Sequence, residues 1–342
     1  MKIFVTGGAG FIGSAFVRMV LEENPDLQVS NFDALTYAGN PENLEGLDES
    51  RHRFIKGDIC DRRAVLEALP DDCDAIFNFA AESHVDRSID SADVFLRTNV
   101  IGTQVLLDAA REKGIGRFVQ ISTDEVMGSL PENSNEYFTE SSPLKPNSPY
   151  AASKAAAELI VRAARETHGL DTIITRCGNN YGPRQFPEKL IPLMISNALN
   201  DEPLPVYGDG MNVRDWIYVE DHCRGIWLAF KNGKNGEAYN IGARNELPNL
   251  EVVKSILDTL GKPHSLIKFV ADRPGHDRRY AIDPTKAEKE LGWRPQTQWE
   301  HGLETTVKWY CDNADWVNRI RSGEYRNYYQ KMYGDRLREA NQ

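Results

Sequence analysis

Residues 2–6, Lys-Ile-Phe-Val-Thr, form a short apolar run, and the chain then breaks into Gly7-Gly8-Ala9-Gly10-Phe11-Ile12-Gly13 before an amphipathic stretch that ends near Glu23. This order reads as strand, glycine loop and helix. Glycines at 7, 10 and 13 allow a sharp turn, bring backbone N–H groups against a pyrophosphate and let the helix pack closely on the strand. The second strand, Gln28 to Phe32, ends at Asp33, twenty residues beyond Gly13. An acid there accepts both ribose hydroxyls of a dinucleotide and repels a 2′-phosphate, which favours NAD over NADP.

Further strand-like runs follow at Arg53 to Lys56, Ala75 to Phe79, Phe118 to Ile121 and Asp171 to Arg176, with a helical stretch at Asn99 to Lys113. Strands and helices alternating with short connections predict an α/β fold: a doubly wound parallel sheet of the Rossmann type over residues 1–176, with ligands at its carboxyl edge. Gly57-Asp58-Ile59 ends the third strand where the adenine of a dinucleotide would lie. Asp58 there can bond the exocyclic amine or serve a turn or helix cap. Ala80 and Ala81 after the fourth strand either permit close approach to a cofactor or make a tight strand-to-helix turn. Ser83 and His84 beside them are candidate ligand contacts.

The fifth strand, Phe118-Val119-Gln120-Ile121, is apolar to its end and then delivers Ser122-Thr123-Asp124-Glu125 to the carboxyl edge. After a loop rich in Pro, Ser and Asn the chain resumes at Ser148-Pro149-Tyr150-Ala151-Ala152-Ser153-Lys154, where Ser148 reads as an N-cap and Pro149 as the first helical residue. Tyr150 and Lys154 are one turn apart on one face, so the ammonium can favour the phenolate and lower the phenol's pKa. Among thirteen tyrosines such a spacing also arises by chance. What singles out this pair is its helix, which follows a strand that presents a hydroxyl and two carboxylates.

After Arg176 the alternation loosens. Cys177 to Pro183 reads as a turn-rich loop, followed by a helix from Lys189 to Asn200, short strands at Leu204–Tyr207 and Asn212–Ile217, and helices near Asp221–Phe230, Asn249–Leu260 and Pro284–Leu291. These make residues 177–342 mainly a smaller α/β substrate domain closing over the sheet edge, with strand exchange back to the first domain left open. Lys189, Arg214, Arg273, His276 and Arg278 fall in loops or at element ends, with Tyr207 and Tyr280. Together they can hold a diphosphate and stack a base, although each alone also reads as a solvated charge. The Arg- and Tyr-containing tail from Arg319 to Arg338 is expected to cover this domain or an oligomer edge, with nucleic-acid contact the remote alternative.

A chain of 342 residues with 41% hydrophobic and 27% charged residues buries a large core. Its net charge of −11 argues against nucleic-acid binding. No apolar run approaches the roughly 18 residues that would span a bilayer. With the first strand beginning at Lys2, we expect no signal peptide and a cytoplasmic protein. The five cysteines, Cys60, Cys73, Cys177, Cys223 and Cys311, are odd in number and lack a CxxC pair, which argues against disulfides and a zinc site. His222 beside Cys223 reads as packing or capping, and no metal site is expected.

The glycine loop, Asp33 and the Tyr150/Lys154 pair resemble the extended short-chain dehydrogenase/reductase superfamily. Within it, Thr123-Asp124-Glu125, the run Ala80 to Ser88, Asn179 to Pro183, Phe186 to Pro192 and Arg273 to Tyr280 resemble the dTDP-glucose 4,6-dehydratases. These segments extend over nearly the whole chain. The resemblance implies a lyase that uses NAD without net redox change and converts dTDP-glucose, or a related nucleotide-activated hexose, to its 4-keto-6-deoxy product and water. It implies that Tyr150, helped by Lys154 and Thr123, takes the 4-hydroxyl proton, that Glu125 removes the C5 proton and that protonated Asp124 serves the departing 6-hydroxyl. Cofactor contacts carried over are Gly7, Gly10, Phe11, Ile12, Gly13, Asp33, Asp58, Ile59, Ala80, Ala81, Thr98, Tyr150, Lys154 and Asn180.

Substrate contacts implied by the same resemblance are Ser83, Thr123, Asn179, Lys189, Leu190, Pro205, Arg214 and Arg273, with Tyr207, Asn249, His276 and Tyr280 at the nucleotide. A homodimer is implied as well. The chain departs from the family pattern at Ala34, Met127 and Gly178, where Lys, Tyr and Ser are common. A sugar-nucleotide 4-epimerase would share the fold, NAD, Tyr150 and Lys154, but it has no need of an acid–base pair beside Thr123. A non-catalytic NAD-binding sensor would not need the intact set.

Overall fold

The computed structural model describes residues 1–132, 134–321 and 324–339. The first half runs β1 (Lys2–Thr6), α1 (Phe11–Glu23), β2 (Gln28–Asp33), β3 (His52–Lys56), α2 (Arg62–Ala68), β4 (Ala75–Asn78), α3 (Val85–Asp90) and α4 (Asp93–Phe95). A π-helical turn, Leu96–Gly102, leads into α5 (Thr103–Glu112), β5 (Arg117–Thr123), α6 (Pro149–His168) and β6 (Thr172–Cys177). The second half contains β7 (Asn179–Tyr181), α7 (Leu190–Leu199), β8 (Leu204–Tyr207), β9 (Val213–Tyr218), α8 (Val219–Asn232) and β10 (Ala238–Ile241). It continues with β11 (Glu246–Pro248), α9 (Asn249–Leu260), β12 (Ile267–Val270), α10 (Thr285–Leu291), α11 (Trp299–Asp312), α12 (Ala314–Ile320) and α13 (Glu324–Glu339).

Seven strands form one parallel sheet in the order β3-β2-β1-β4-β5-β6-β10. β1 shows why the sheet is covered on both sides. Ile3 and Val5 point into one core with Phe16, Val17 and Val20 of α1, and Phe4 into the other with Phe32, Leu106 and Phe118. A strand apolar at every position can be buried only between two helical layers, each such side chain contributing about 1.5–3 kcal/mol. The strand order reverses between β1 and β4, so the loops after these two strands diverge and leave a crevice at the carboxyl edge.

The helix carrying Tyr150 forms as its sequence demands. Ser148 accepts from the Ala151 N–H at 3.1 Å, Pro149 opens the helix, and Gly169 closes it in a left-handed conformation. Elsewhere the structure corrects the sequence reading. Residues 179–181, read as loop, form β7 and pair in parallel with β9. The helix read near Asp221–Phe230 as part of the substrate domain is α8, and its Cys223, Ile226 and Trp227 pack with α1 in the core of the first half. β10 likewise returns to the edge of the main sheet beside β6. Apart from α10, whose Ala287 and Leu291 pack in the first core, the remaining elements, including β8 paired with β12 and β9 with β11, surround a separate core with α7, α9 and α11. Tyr329, Met332, Tyr333 and Leu337 of α13 pack on that core, so the tail covers it. Ser322 and Gly323 within the tail lie outside the described residues.

Candidate active site

Two clefts open at the carboxyl edge. The first, of about 330 Å³, runs along the ends of β1, β2, β4 and β5. The second, of about 160 Å³, lies between the sheet and the second core. They share Glu125, Asn179, Glu188 and Lys189, so they form one continuous site with two arms.

The first arm is shaped by backbone. Gly7 has φ +71°, and a Cβ there would stand 2.6 Å from the Ala80 nitrogen; a Cβ on Gly13 would stand 2.3 Å from the Gly7 carbonyl oxygen. Only glycine lets the loops after β1 and β4 meet in this way. No side chain caps α1 at Gly10, so the first-turn N–H groups remain available at the cleft. Asp33 closes β2, its carboxylate accepting from the Ala9 N–H at 2.9 Å and the Leu35 N–H at 2.8 Å. Burial raises its pKa. Asp58 lines the cleft and accepts from the Cys60 N–H at 2.8 Å, while Asp61 caps α2. Phe11, Ile12, Ile59, Ala80, Ala81 and Thr98 complete the wall. A glycine cradle, an uncapped helix start and an acid at the end of β2 fit a dinucleotide with a free ribose 2′-hydroxyl.

At the junction, β5 ends in Thr123 and a 3-10 turn carries Asp124 and Glu125. The Thr123 hydroxyl donates to Asp124 Oδ1 at 3.3 Å and accepts from the Glu125 N–H at 3.3 Å. The two carboxyls differ in surroundings. Asp124 is buried, its Oδ2 has no partner among the described residues, and its pKa stands well above the carboxylate range through burial and the charges of Glu125 and Asp215. Burial also raises Glu125, and Arg273, Lys189 and Arg214 offset that rise only in part. Two carboxyls therefore stand side by side, Asp124 strongly raised and Glu125 raised less because cations surround it.

Tyr150 shares a side-chain hydrogen bond with Thr123, yet its pKa is pushed well above 10 by burial and by Glu125. This corrects the expectation that Lys154 lowers it. Lys154 Nζ instead donates to the Ile121 carbonyl at 2.7 Å, and its own pKa falls to about 8 because burial disfavours the ammonium. Beneath it the Arg176 guanidinium holds Glu158, one turn along α6, at 2.7 Å in a buried pair. Met127, one of the departures from the family pattern, places its sulfur 3.9 Å from Arg176 Nη1. At Gly178, another departure, a Cβ would stand 2.5 Å from the Asp215 carbonyl oxygen, so this backbone has closed around glycine.

The second arm gathers Leu190, Pro205, Tyr207, Arg214, Asn249, Arg273, His276 and Tyr280. Ser83 and Thr123 line the first arm, and Ser83 accepts from Lys189 Nζ through its carbonyl at 2.7 Å. The Arg214 guanidinium lies 4.3 Å from the Tyr280 ring centroid. Asn249 Oδ1 and Arg273 Nε are buried without a partner among the described residues. Arg278 is corrected: it turns outward to Asp209 and Glu132 and lines neither arm. Sequence reasoning missed Asp86, which holds Arg273 at 2.8 Å and accepts from the Tyr207 hydroxyl at 3.2 Å. It also missed Glu188 and the cleft-lining role of Tyr333 from α13. Asp86 and Glu188 sit in the two segments whose motifs were noted, but nothing in their spacing marks them as partners of distant cations.

His222 proves to be a buried imidazole with its pKa lowered to about 3, and its Nδ1 stands 2.8 Å from Asn180 Oδ1. It orients Asn180 at the first arm. Among the described residues no cluster of three or more His, Cys, Asp or Glu could hold a metal.

The raised pKa of Asp124 has a testable consequence. Unfolded, its carboxyl titrates near 3.8; folded, it keeps its proton to higher pH. Stability therefore falls as pH rises from about 3.8 toward the folded value, and the loss is complete above it. Asp124→Asn removes this loss. The variant should be more stable than the parent by about 1–3 kcal/mol in urea at pH 7 and should gain little near pH 3. Equal differences at both pH values would show that Asp124 ionises normally.

Comparison with known proteins fits this geometry. A family model described as GDP-mannose 4,6 dehydratase matches residues 4–306. The chain is 57% identical to the low-salt glycan biosynthesis protein Agl12 of Haloferax volcanii, over 92% of this chain and 100% of the relative. It is 50% identical to the dTDP-glucose 4,6-dehydratase of Salmonella typhimurium, over 98% of this chain and 100% of the relative. The crystal structure of DesIV, the dTDP-glucose 4,6-dehydratase of Streptomyces venezuelae, solved with NAD and TYD bound, superposes with a TM-score of 0.91 at 53% identity, covering 94% of this chain and 100% of that one. The chain belongs to the nucleotide-sugar 4,6-dehydratase family and, within it, to the dTDP-glucose 4,6-dehydratases.

Proposed function

We propose that this chain is an NAD-dependent hydro-lyase that converts dTDP-glucose to dTDP-4-keto-6-deoxyglucose and water. The observation that carries the reading is the pair Asp124 and Glu125, adjacent in sequence but unlike in the charges around them, acids beside the first and cations beside the second, next to Tyr150 at the meeting of the two arms. NAD held along Gly7–Gly13, Asp33, Asp58 and Asn180 supplies temporary storage for the hydride that leaves C4 and returns at C6. Tyr150 takes the 4-hydroxyl proton as the phenolate, the form that the positive charges of bound NAD and of Lys154 would favour over the phenol that burial alone favours, with Thr123 hydrogen-bonded to the same group. A ketone at C4 acidifies the C5 proton, which Glu125 removes. Asp124 gives its proton to the 6-hydroxyl as it leaves as water, and Glu125 returns a proton to C5 when C6 is reduced. Lys189, Arg214 and Arg273 bind the diphosphate and sugar side, and Tyr207, Asn249, His276 and Tyr280 the nucleotide. A 4-epimerase would leave both carboxyls at the end of β5 without a task.

Mass spectrometry of the sugar nucleotide after incubation with dTDP-glucose and NAD should show loss of one water without net NADH. Conversion to the galactose isomer would replace this reading with an epimerase. Glu125→Gln should keep bound NAD and lose at least about 100-fold in kcat; full activity in that variant would remove Glu125 as the C5 base.

We also read the protein as a homodimer. Ile89 on α3, Leu96 and Ile101 on the π-helical turn and Leu159 on α6 are exposed apolar side chains on elements that pack together. One face of this kind fits a second copy. Sedimentation should give a dimer that Leu159→Glu shifts toward monomer; a parent that is monomeric at working concentration would end this reading. No helix among the described residues is long and apolar enough to cross a membrane. We place the protein in the cytoplasm, and recovery in the membrane fraction of lysed cells would count against it.

A further inference from the structure

Two loops from distant parts of the chain wall the first arm. Thr36, Ala38 and Gly39, after β2, stand on one side; Phe186 and Glu188, before α7, stand on the other. Tyr37 does not line the cleft. Its ring instead meets the edge of Phe186, with centroids 5.6 Å apart and planes at 85°. The Arg87 guanidinium lies 4.0 Å from the Tyr37 ring centroid and its Nε donates to Glu188 Oε2 at 3.2 Å. The Tyr37 phenol also hydrogen-bonds Glu188, whose side chain is 1% exposed. These contacts form a closed ring that ties the loop after β2, the start of α3 and the segment before α7 to one another. Arg319 of α12 adds a second tie to the same loop through Glu42.

We propose that Tyr37, Arg87, Phe186 and Glu188 form a clasp that retains the dinucleotide in its cleft from one turnover to the next. The proposal rests on the reading of this arm as the NAD site. A reaction that lends a hydride and takes it back gains nothing from cofactor exchange, and a cofactor lost midway strands the sugar as a ketone. The clasp residues suit retention because they join loops on opposite walls while three of the four groups that make the ring, the Tyr37 ring, the Arg87 guanidinium and the Glu188 carboxylate, interact in partly dry surroundings where cation–π and charged hydrogen bonds are strengthened. Breaking the ring frees the loop at residues 34–40, where Leu35 already occupies a left-handed conformation at φ 53°. Opening there lets the adenosine end of a dinucleotide leave first.

The test loads the full-length enzyme with isotopically labelled NAD, removes free label by desalting and follows release during a chase with unlabelled NAD. Tyr37→Ala and Arg87→Met should each release label about tenfold or more faster than the parent, with kcat at saturating NAD within about twofold. Tyr37→Phe, which keeps the ring and loses the phenol, should fall between. Release at the parent's rate in both Tyr37→Ala and Arg87→Met would overturn the clasp, as would faster release accompanied by an equal loss of kcat and a lowered thermal transition. A parent that takes up no labelled NAD would instead overturn the assignment of the cleft.

Discussion

Burial of ionisable groups at the end of β5 is the constraint on which the site depends. Asp124, Tyr150 and Lys154 all stand 8% exposed or less. Ionised and unpartnered in such a place, each would cost several kcal/mol. The fold answers by setting protonation states instead of pairing every charge. Asp124 keeps its proton, the phenol of Tyr150 keeps its own, and Lys154 is brought to about 8, within reach of neutral pH. Glu125 is raised as well, but less, because the second arm surrounds it with cations. The proton on Asp124 thus sits where a departing hydroxyl needs it, whereas Tyr150 has to give up its own before it can accept one from the sugar.

That arrangement needs both halves of the chain. Arg214 comes from β9 and Arg273 from the segment after β12, both beyond the parallel strands that present Asp124 and Glu125. The halves are fixed to one another by α8 and β10, which leave the second half to pack on α1 and β6. Trp293 locks this return by donating its indole N–H to the Asp221 carbonyl at 2.9 Å. The Asp221 carboxylate also accepts from the Gln296 and Thr297 N–H groups at 3.0 and 2.8 Å, so the chain re-enters the second core at a defined point. Cations on the second core are held over the sheet edge by this embedded helix and strand.

The first half was legible because its signals are local. β1, the glycine loop, Asp33 and the capped helix at Ser148 each lie within a few residues whose types leave few alternatives, and every proposed cofactor residue lines the first arm. The second half carried weaker signals. β7 and β11 are three residues long, too short for a period-two pattern to register, and α8 resembles any amphipathic helix until its partner α1 is known. The pKa of Tyr150 was misread for a related reason. Its spacing to Lys154 is visible in sequence, but the carboxyls that oppose ionisation and the Ile121 carbonyl that takes the ammonium belong to another element. Arg278 shows the same limit: it shares a loop with Arg273 but faces Asp209.

The acids Asp86 and Glu188 explain how a chain with a net charge of −11 presents cations to an anionic ligand. Asp86 holds Arg273 and the Tyr207 hydroxyl at the back of the second arm, so the guanidinium is aimed without being fully consumed; its Nε remains without a partner among the described residues. Glu188 precedes Lys189 and is tied to Arg87 across the first arm, while the Lys189 ammonium donates to the Ser83 carbonyl. A buried acid that loses its cation is costly, about 3–5 kcal/mol for a broken buried pair. The same pairing energy that keeps Arg273 in place therefore also holds α3 of the first half against the second core. Positioning of the anion-binding groups and joining of the two halves are in this way one set of contacts.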